Sequence, residues 1–131
     1  MLVRARVEAR GLRKAIAGES LVDTGAALTV LDRYTADELG VRRVNRRVKL
    51  IVMDGDEVEG ELAILESLIV DGEELPGAHV ALIDFHPKLK ERLRTQGLSD
   101  WCVIGLSTLE ILGLTPNTSK GVIERTGSFL L

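Results

Sequence analysis

Between Leu21 and Leu28 an apolar run is broken once, by Asp23-Thr24-Gly25, and the chain holds that arrangement in a single copy. The segment reads as a strand, a tight loop carrying Asp23, and a return into Leu28-Thr29-Val30-Leu31. Such a loop exposes a carboxylate while its two flanks are anchored in a core. Gly25 permits positive φ and the close approach of another chain or a ligand to the main chain. Taken alone, the triplet is also what an ordinary Asx-type turn between strands looks like.

A second segment bears on that choice. Val103-Ile104-Gly105 reads as a buried strand ending in glycine, and Leu106 to Gly113 as a two-turn helix. Ser107 and Glu110 have capping-box spacing, and Gly113 supplies a left-handed stop. The rest of the chain is organised as short strands punctuated by turns, without an internal repeat. Val3 to Ala9 alternates and ends at Gly11, and Thr35 to Gly40 forms one helical turn with its own capping box. Val48 to Met53 and Val58 to Leu65 form a hairpin around Asp54-Gly55, a dipeptide suited to a type I′ turn. Leu68 to Val70 turns at Asp71-Gly72 and leads through Pro76-Gly77 into Ala78 to Ile83. Pro87, the Leu89/Leu93 pair and Gly97 mark an amphipathic helix over about 87–97. Leu114 to Leu131 has a turn at Pro116-Asn117 and strands near Val122-Ile123 and Phe129-Leu131. The expected fold class is all-β with a few short helices, in one domain spanning 1–131.

Asp23-Thr24-Gly25-Ala26 with Thr29-Val30-Leu31, followed later by Val103-Ile104-Gly105 and a short helix, resembles the retropepsin-like aspartic protease family. The resemblance implies a closed, twisted barrel-like fold, a homodimer, a peptide or protein substrate, and Asp23 of each chain as the catalytic carboxylate. It further implies that Thr24 bonds across the dimer axis, Gly25 meets the substrate backbone and Ala26 lines the pocket, with Ile104 and Gly105 supporting the loop. The hairpin of about 48–65 lies where the family carries its flap, with Met53, Asp54 and Gly55 at its tip. Two positions depart from the retroviral pattern: Ala27 stands where an acid is usual, and Leu106 where an arginine is. An ion pair is thereby replaced by an apolar contact, a change that can be near neutral for stability. The helix over 87–97 is an insertion relative to compact viral members, with packing, groove extension and dimer contact all open as roles.

A single Asp23 has a chemical consequence. Hydrolysis by this route needs one carboxylate to take a proton from water while a second, protonated, donates to the carbonyl oxygen. Two carboxylates near contact share one proton and titrate as a pair. With one motif per chain, the second must come from a second copy related by a twofold axis.

Composition narrows the alternatives. Apolar residues make up 45% and charged residues 28%, against disorder, and a net charge of −3 gives no reason to expect nucleic acid. No apolar run approaches about 18 residues, and Arg4, Arg6 and Glu8 alternate with apolar positions near the start, so neither a membrane span nor a signal peptide is expected. The lone Cys102 reads as a buried, inert thiol, which fits a cytoplasmic location. His79 and His86 lack partners at metal-ligand spacing, and neither metal nor cofactor is expected. The acidic row Asp54, Asp56, Glu57, Glu59 and Glu61 is either the hairpin's solvated face or a preference for basic peptides. The competing functional class is a catalytically inactive homodimeric peptide-binding or scaffold module. A phosphate-binding ATPase loop can also read Asp-x-Gly, but that architecture needs a longer, two-lobed chain.

Overall fold

A computed structural model describes residues 2–51 and 55–126. β1 (Arg4–Arg10) and β2 (Ala15–Val22) form an antiparallel hairpin. Val3, Ala5, Val7 and Ala9 point inward while the intervening Arg and Glu side chains face water, the period of two that a half-buried strand requires. After the loop around Asp23 come β3 (Thr29–Asp32) and α1 (Arg33–Leu39). β4 (Arg42–Ile51), β5 (Glu57–Val70) and β6 (Glu73–Ile83) form an antiparallel meander, and α2 (Pro87–Thr95) follows. β7 (Cys102–Ile104), α3 (Leu106–Leu112) and a small hairpin of β8 (Leu114–Asn117) and β9 (Val122–Arg125) complete the described chain.

The strand order is β1-β2-β7-β3-β6-β5-β4, and β1 also pairs with β5 through Val7↔Val70 to Arg10↔Ser67. That last pairing closes β1, β2, β7, β3, β6 and β5 into a six-stranded barrel, with β4 attached outside β5. Closure removes free edges from the six strands. The interior is filled by Val22, Leu31, Leu65, Leu68, Val80, Leu82, Cys102 and Ile104 among others, and Leu114 and Ile123 of the terminal hairpin join the same cluster. The C-terminal hairpin therefore helps close the core of its own chain.

β7 lies between β2 and β3, parallel to β2 and antiparallel to β3. Several local expectations are corrected. The meander strands run longer than their turn residues suggested. β5 continues through Glu66 and Ser67, where Ser67 pairs with both Arg10 of β1 and Pro76 of β6, and β6 continues through Pro76-Gly77 along β5. The Asp71-Gly72 turn forms as expected, with φ of 48° and 83°. In the β4–β5 hairpin the pair nearest the tip is Ile51↔Glu57. Asp54 of the turn expected at Asp54-Gly55 lies outside the described residues. The turn expected at Pro116-Asn117 falls at 118–121, where Asn117 Oδ1 accepts the N–H groups of Ser119 and Lys120. The strand expected over Phe129–Leu131 lies outside the described residues.

Neither capping box forms. α1 begins two residues earlier than Thr35, at Arg33, and its cap residue Asp32 makes no side-chain cap bond. The Asp32 carboxylate instead accepts the Phe85 N–H at 3.0 Å and the Lys90 ammonium at 3.1 Å. Those bonds hold the entry of α2 against the end of β3. The glycine stops do form: Gly40 N–H reaches Ala36 O, and Gly113 is left-handed with φ 68°.

Candidate active site

Asp23 follows β2 directly, and its N–H continues the parallel β2–β7 ladder by donating to Ile104 O at 2.9 Å. The loop then turns back on itself: Gly25 N–H donates to Asp23 Oδ1 at 2.9 Å, and Ala26 N–H to Asp23 O at 3.1 Å. This is an Asx-type turn, so the bland reading of the triplet is correct as local geometry. Asp23 is half-buried, Thr24, Gly25 and Ala27 are exposed, and Ala26 is half-buried. Asp23 Oδ2 has no hydrogen-bond partner among the described residues.

The loop is docked on the second motif by three successive backbone donors. Gly105 N–H donates to Thr29 Oγ1 at 3.0 Å, Leu106 N–H to Ala26 O at 2.8 Å, and Ser107 N–H to Ala27 O at 3.0 Å. Helix starts leave such N–H groups without intrahelical partners. Here the Asp23 loop supplies the acceptors, which is why the box expected from Ser107 and Glu110 is not used and Gly105 caps α3 without a side chain. The loop and the helix approach so closely that a Cβ on Gly105 would lie 2.3 Å from Leu28 C and 2.8 Å from Ala26 O. Ile104 is fully buried and faces the core. The sequence-derived residues Asp23, Thr24, Gly25, Ala26, Ile104 and Gly105 are thus brought together in one substructure.

The flap residues are only partly covered. Met53 and Asp54 lie outside the described residues, while Gly55 is exposed with φ 82° and open space around its Cα. The hairpin arms are anchored, since Leu50 and Val58 pack against a second apolar cluster. Gly60 serves close packing and not freedom of movement: a Cβ there would meet Ile83 Cγ2 and Leu82 O, each at 3.0 Å. That second cluster joins Val30, Ile83, Phe85 and Val103 to Leu93, Leu98 and Leu89 of the inserted segment, with Leu21 packed beside them. Leu21, Val30 and Val103 alternate with core residues, so the segment covers the outer face of β2, β7 and β3. The insertion therefore packs against the barrel. His86 caps α2 by accepting Lys88 N–H at 3.1 Å, a structural task.

A family model described as aspartyl protease matches residues 5–113, a span that includes both the Asp23 loop and the α3 segment. The chain belongs to the aspartyl protease family. Membership agrees with the resemblance drawn from the two motifs. Among solved structures, a retropepsin-like aspartic protease from Rickettsia conorii aligns over 89% of this chain and 89% of its own, at 18% identity and a TM-score of 0.45. No curated protein matches the chain.

Sequence reasoning gave no role to two members of this aspartyl protease substructure: Thr29, quoted only as part of the first motif, and Thr108. Both are buried, and their hydroxyl oxygens are 2.6 Å apart. The available signal was a threonine opening the apolar run 29–31 and another on the inner face of α3, because a buried hydroxyl has to find a partner. Cys102 is buried as expected. Burial pushes its thiol up to about 12, with the Ser20 hydroxyl acting in the opposite direction. Among the described residues no helix is long and apolar enough to cross a membrane.

Proposed function

We propose that the chain is an aspartic endopeptidase of retropepsin type that works as a homodimer, with Asp23 of each subunit flanking the attacking water. The observation that carries the reading is one carboxylate per chain, held on an exposed loop whose backbone is fastened to Ile104, Gly105 and α3. A lone carboxylate cannot be base and acid in the same step. Two of them at a twofold axis share a proton, one taking the water proton while its twin protonates the carbonyl oxygen of the peptide bond. The roles are interchangeable in the empty dimer, and an asymmetric peptide fixes them on binding. Exposed Thr24 suits a bond across the axis to the partner loop. Exposed Gly25 leaves room for the substrate backbone.

Family membership supports this reading, and so do the hydrogen bonds that hold the loop in place, which lower the reorganisation needed when the carboxylates meet. The hairpin of β4 and β5 is the candidate flap. An unbiased peptide-library digest across pH, run with wild type and Asp23→Asn alongside sedimentation, tests the reading. Cleavage that disappears in the variant while the dimer persists is the expected result. A dimer that binds peptides, with no cleavage by either protein, would replace the enzyme by a peptide-binding module.

A further inference from the structure

Behind the Asp23 loop stand two buried hydroxyls that take no part in the proposed acid–base step. Thr29 opens β3 at 0% exposure, and Thr108 lies in the first turn of α3 at 1%. Their Oγ1 atoms are 2.6 Å apart, and Thr29 Oγ1 also accepts the Gly105 N–H at 3.0 Å. Valine has nearly the shape of threonine, so filling this space does not by itself call for hydroxyls, and burying them has a cost unless they are bonded. What the hydroxyls add is direction. They join the segment leaving the Asp23 loop to the helix on which that loop rests, whereas the other docking bonds, Asp23 N–H to Ile104 O, Leu106 N–H to Ala26 O and Ser107 N–H to Ala27 O, are all backbone contacts.

We infer that Thr29 and Thr108 are positioning residues for Asp23, their hydroxyl pair setting the stand-off between the Asp23 loop and α3. The inference rests on the dimeric protease reading. In that dimer the stand-off fixes where each carboxylate meets its twin. Without the hydroxyls, the loop remains attached through the main chain of Asp23, Ala26 and Ala27, but its exit at Thr29 is free to shift against α3 and to turn the loop about those bonds. A carboxylate pair is sensitive to such a pivot, because a displacement near 1 Å can cost about a hundredfold in rate. Peptide binding, spread over many contacts, is much less sensitive.

The test combines Thr29→Val, Thr108→Val and Thr29→Ser with steady-state kinetics on a peptide found by the library digest, thermal melts and sedimentation. The valine variants are expected to lose kcat by roughly 10- to 100-fold with KM within about twofold, and Thr29→Ser to return to within about threefold of wild type. Ser67→Ala is the control for stability alone. Its hydroxyl is also buried and bonded, to Glu74 at 2.6 Å, but at the Arg10 end of the barrel, so its melt falls while kcat holds. If Thr29→Val does not fold, Thr108→Val and Thr29→Ser carry the same comparison. Wild-type kcat in the valine variants, or a loss that Ser67→Ala reproduces at equal melting temperature, overturns the inference. Activity abolished by Asp23→Asn but untouched by Thr29→Val removes the inference alone, whereas absence of cleavage by wild type removes it together with the protease reading.

Discussion

A Cβ atom on Gly105 would lie 2.3 Å from the carbonyl carbon of Leu28. Gly105 has φ −102°, an angle open to any residue, so its requirement is one of space and not of backbone conformation. The atoms it would strike are main chain, on the segment that carries Asp23. Gly105→Ala is therefore expected to pry α3 from the loop and to cost about 3 kcal/mol, the upper part of the usual range for overpacking. Urea melts measure this. A variant within about 0.5 kcal/mol of wild type would mean that the two segments are not held this close.

Cys102 gives a pH dependence with a definite sign. Its thiol is raised from 9.0 to about 12 by burial, with the Ser20 hydroxyl opposing. Above 9.0 the unfolded chain gives up this proton while the folded chain keeps it, so the folded state binds more protons and stability falls as pH rises towards 12. The slope approaches about 1.4 kcal/mol per pH unit, and none of it is felt below the unfolded value. Cys102→Ala removes this contribution. The gap in unfolding free energy between wild type and variant should shrink as pH climbs above 9.0, and parallel curves would contradict a buried thiol.

The parts of the fold that were legible in the sequence were those fixed by neighbouring residues. Val3 to Ala9 alternates because one face is wet, and Asp71-Gly72 turns because both residues tolerate positive φ. Barrel closure was not legible, since it depends on β1 meeting β5 about sixty residues away and leaves no local mark. The capping boxes misled for a related reason. The free N–H groups of α3 are taken by Ala26 and Ala27, and the carboxylate of Asp32 by Phe85 and Lys90, partners that no window of a few residues contains. At the candidate site both motifs could be read, and Thr29 within the first, but the pairing of its hydroxyl with Thr108, far along the chain, has only the weak mark of two threonines on apolar faces.

Asp32 and Lys90 form the ion pair that ties the inserted helix to the barrel, at 3.1 Å with side-chain exposures of 6% and 29%. Asp32 also accepts the Phe85 N–H, so Asp32→Ala leaves an amide and an ammonium without their partner. A cost of about 3 kcal/mol is expected, in line with breaking one side of a buried pair. Lys90→Ala should cost about 1 kcal/mol, because its ammonium is partly solvated. Denaturant midpoints of the two variants provide the measurement. Equal, small shifts would show that the carboxylate is solvated and that Leu93 and its neighbours hold the helix unaided.

The proposed dimeric mechanism makes a quantitative claim about mixed assemblies. When wild type and Asp23→Asn are mixed in equal amounts and allowed to exchange subunits, random pairing leaves about a quarter of the dimers with two intact Asp23 residues. If the step needs one carboxylate from each chain, activity should fall to about a quarter of that of wild type at the same total concentration. If each chain acted alone it would fall only to about a half. Dilution offers an independent check, since activity per chain should drop where sedimentation shows the dimer dissociating. Activity that tracks the wild-type fraction in the mixture, and holds constant per chain on dilution, would place the whole reaction within one subunit and require a second acid other than Asp23.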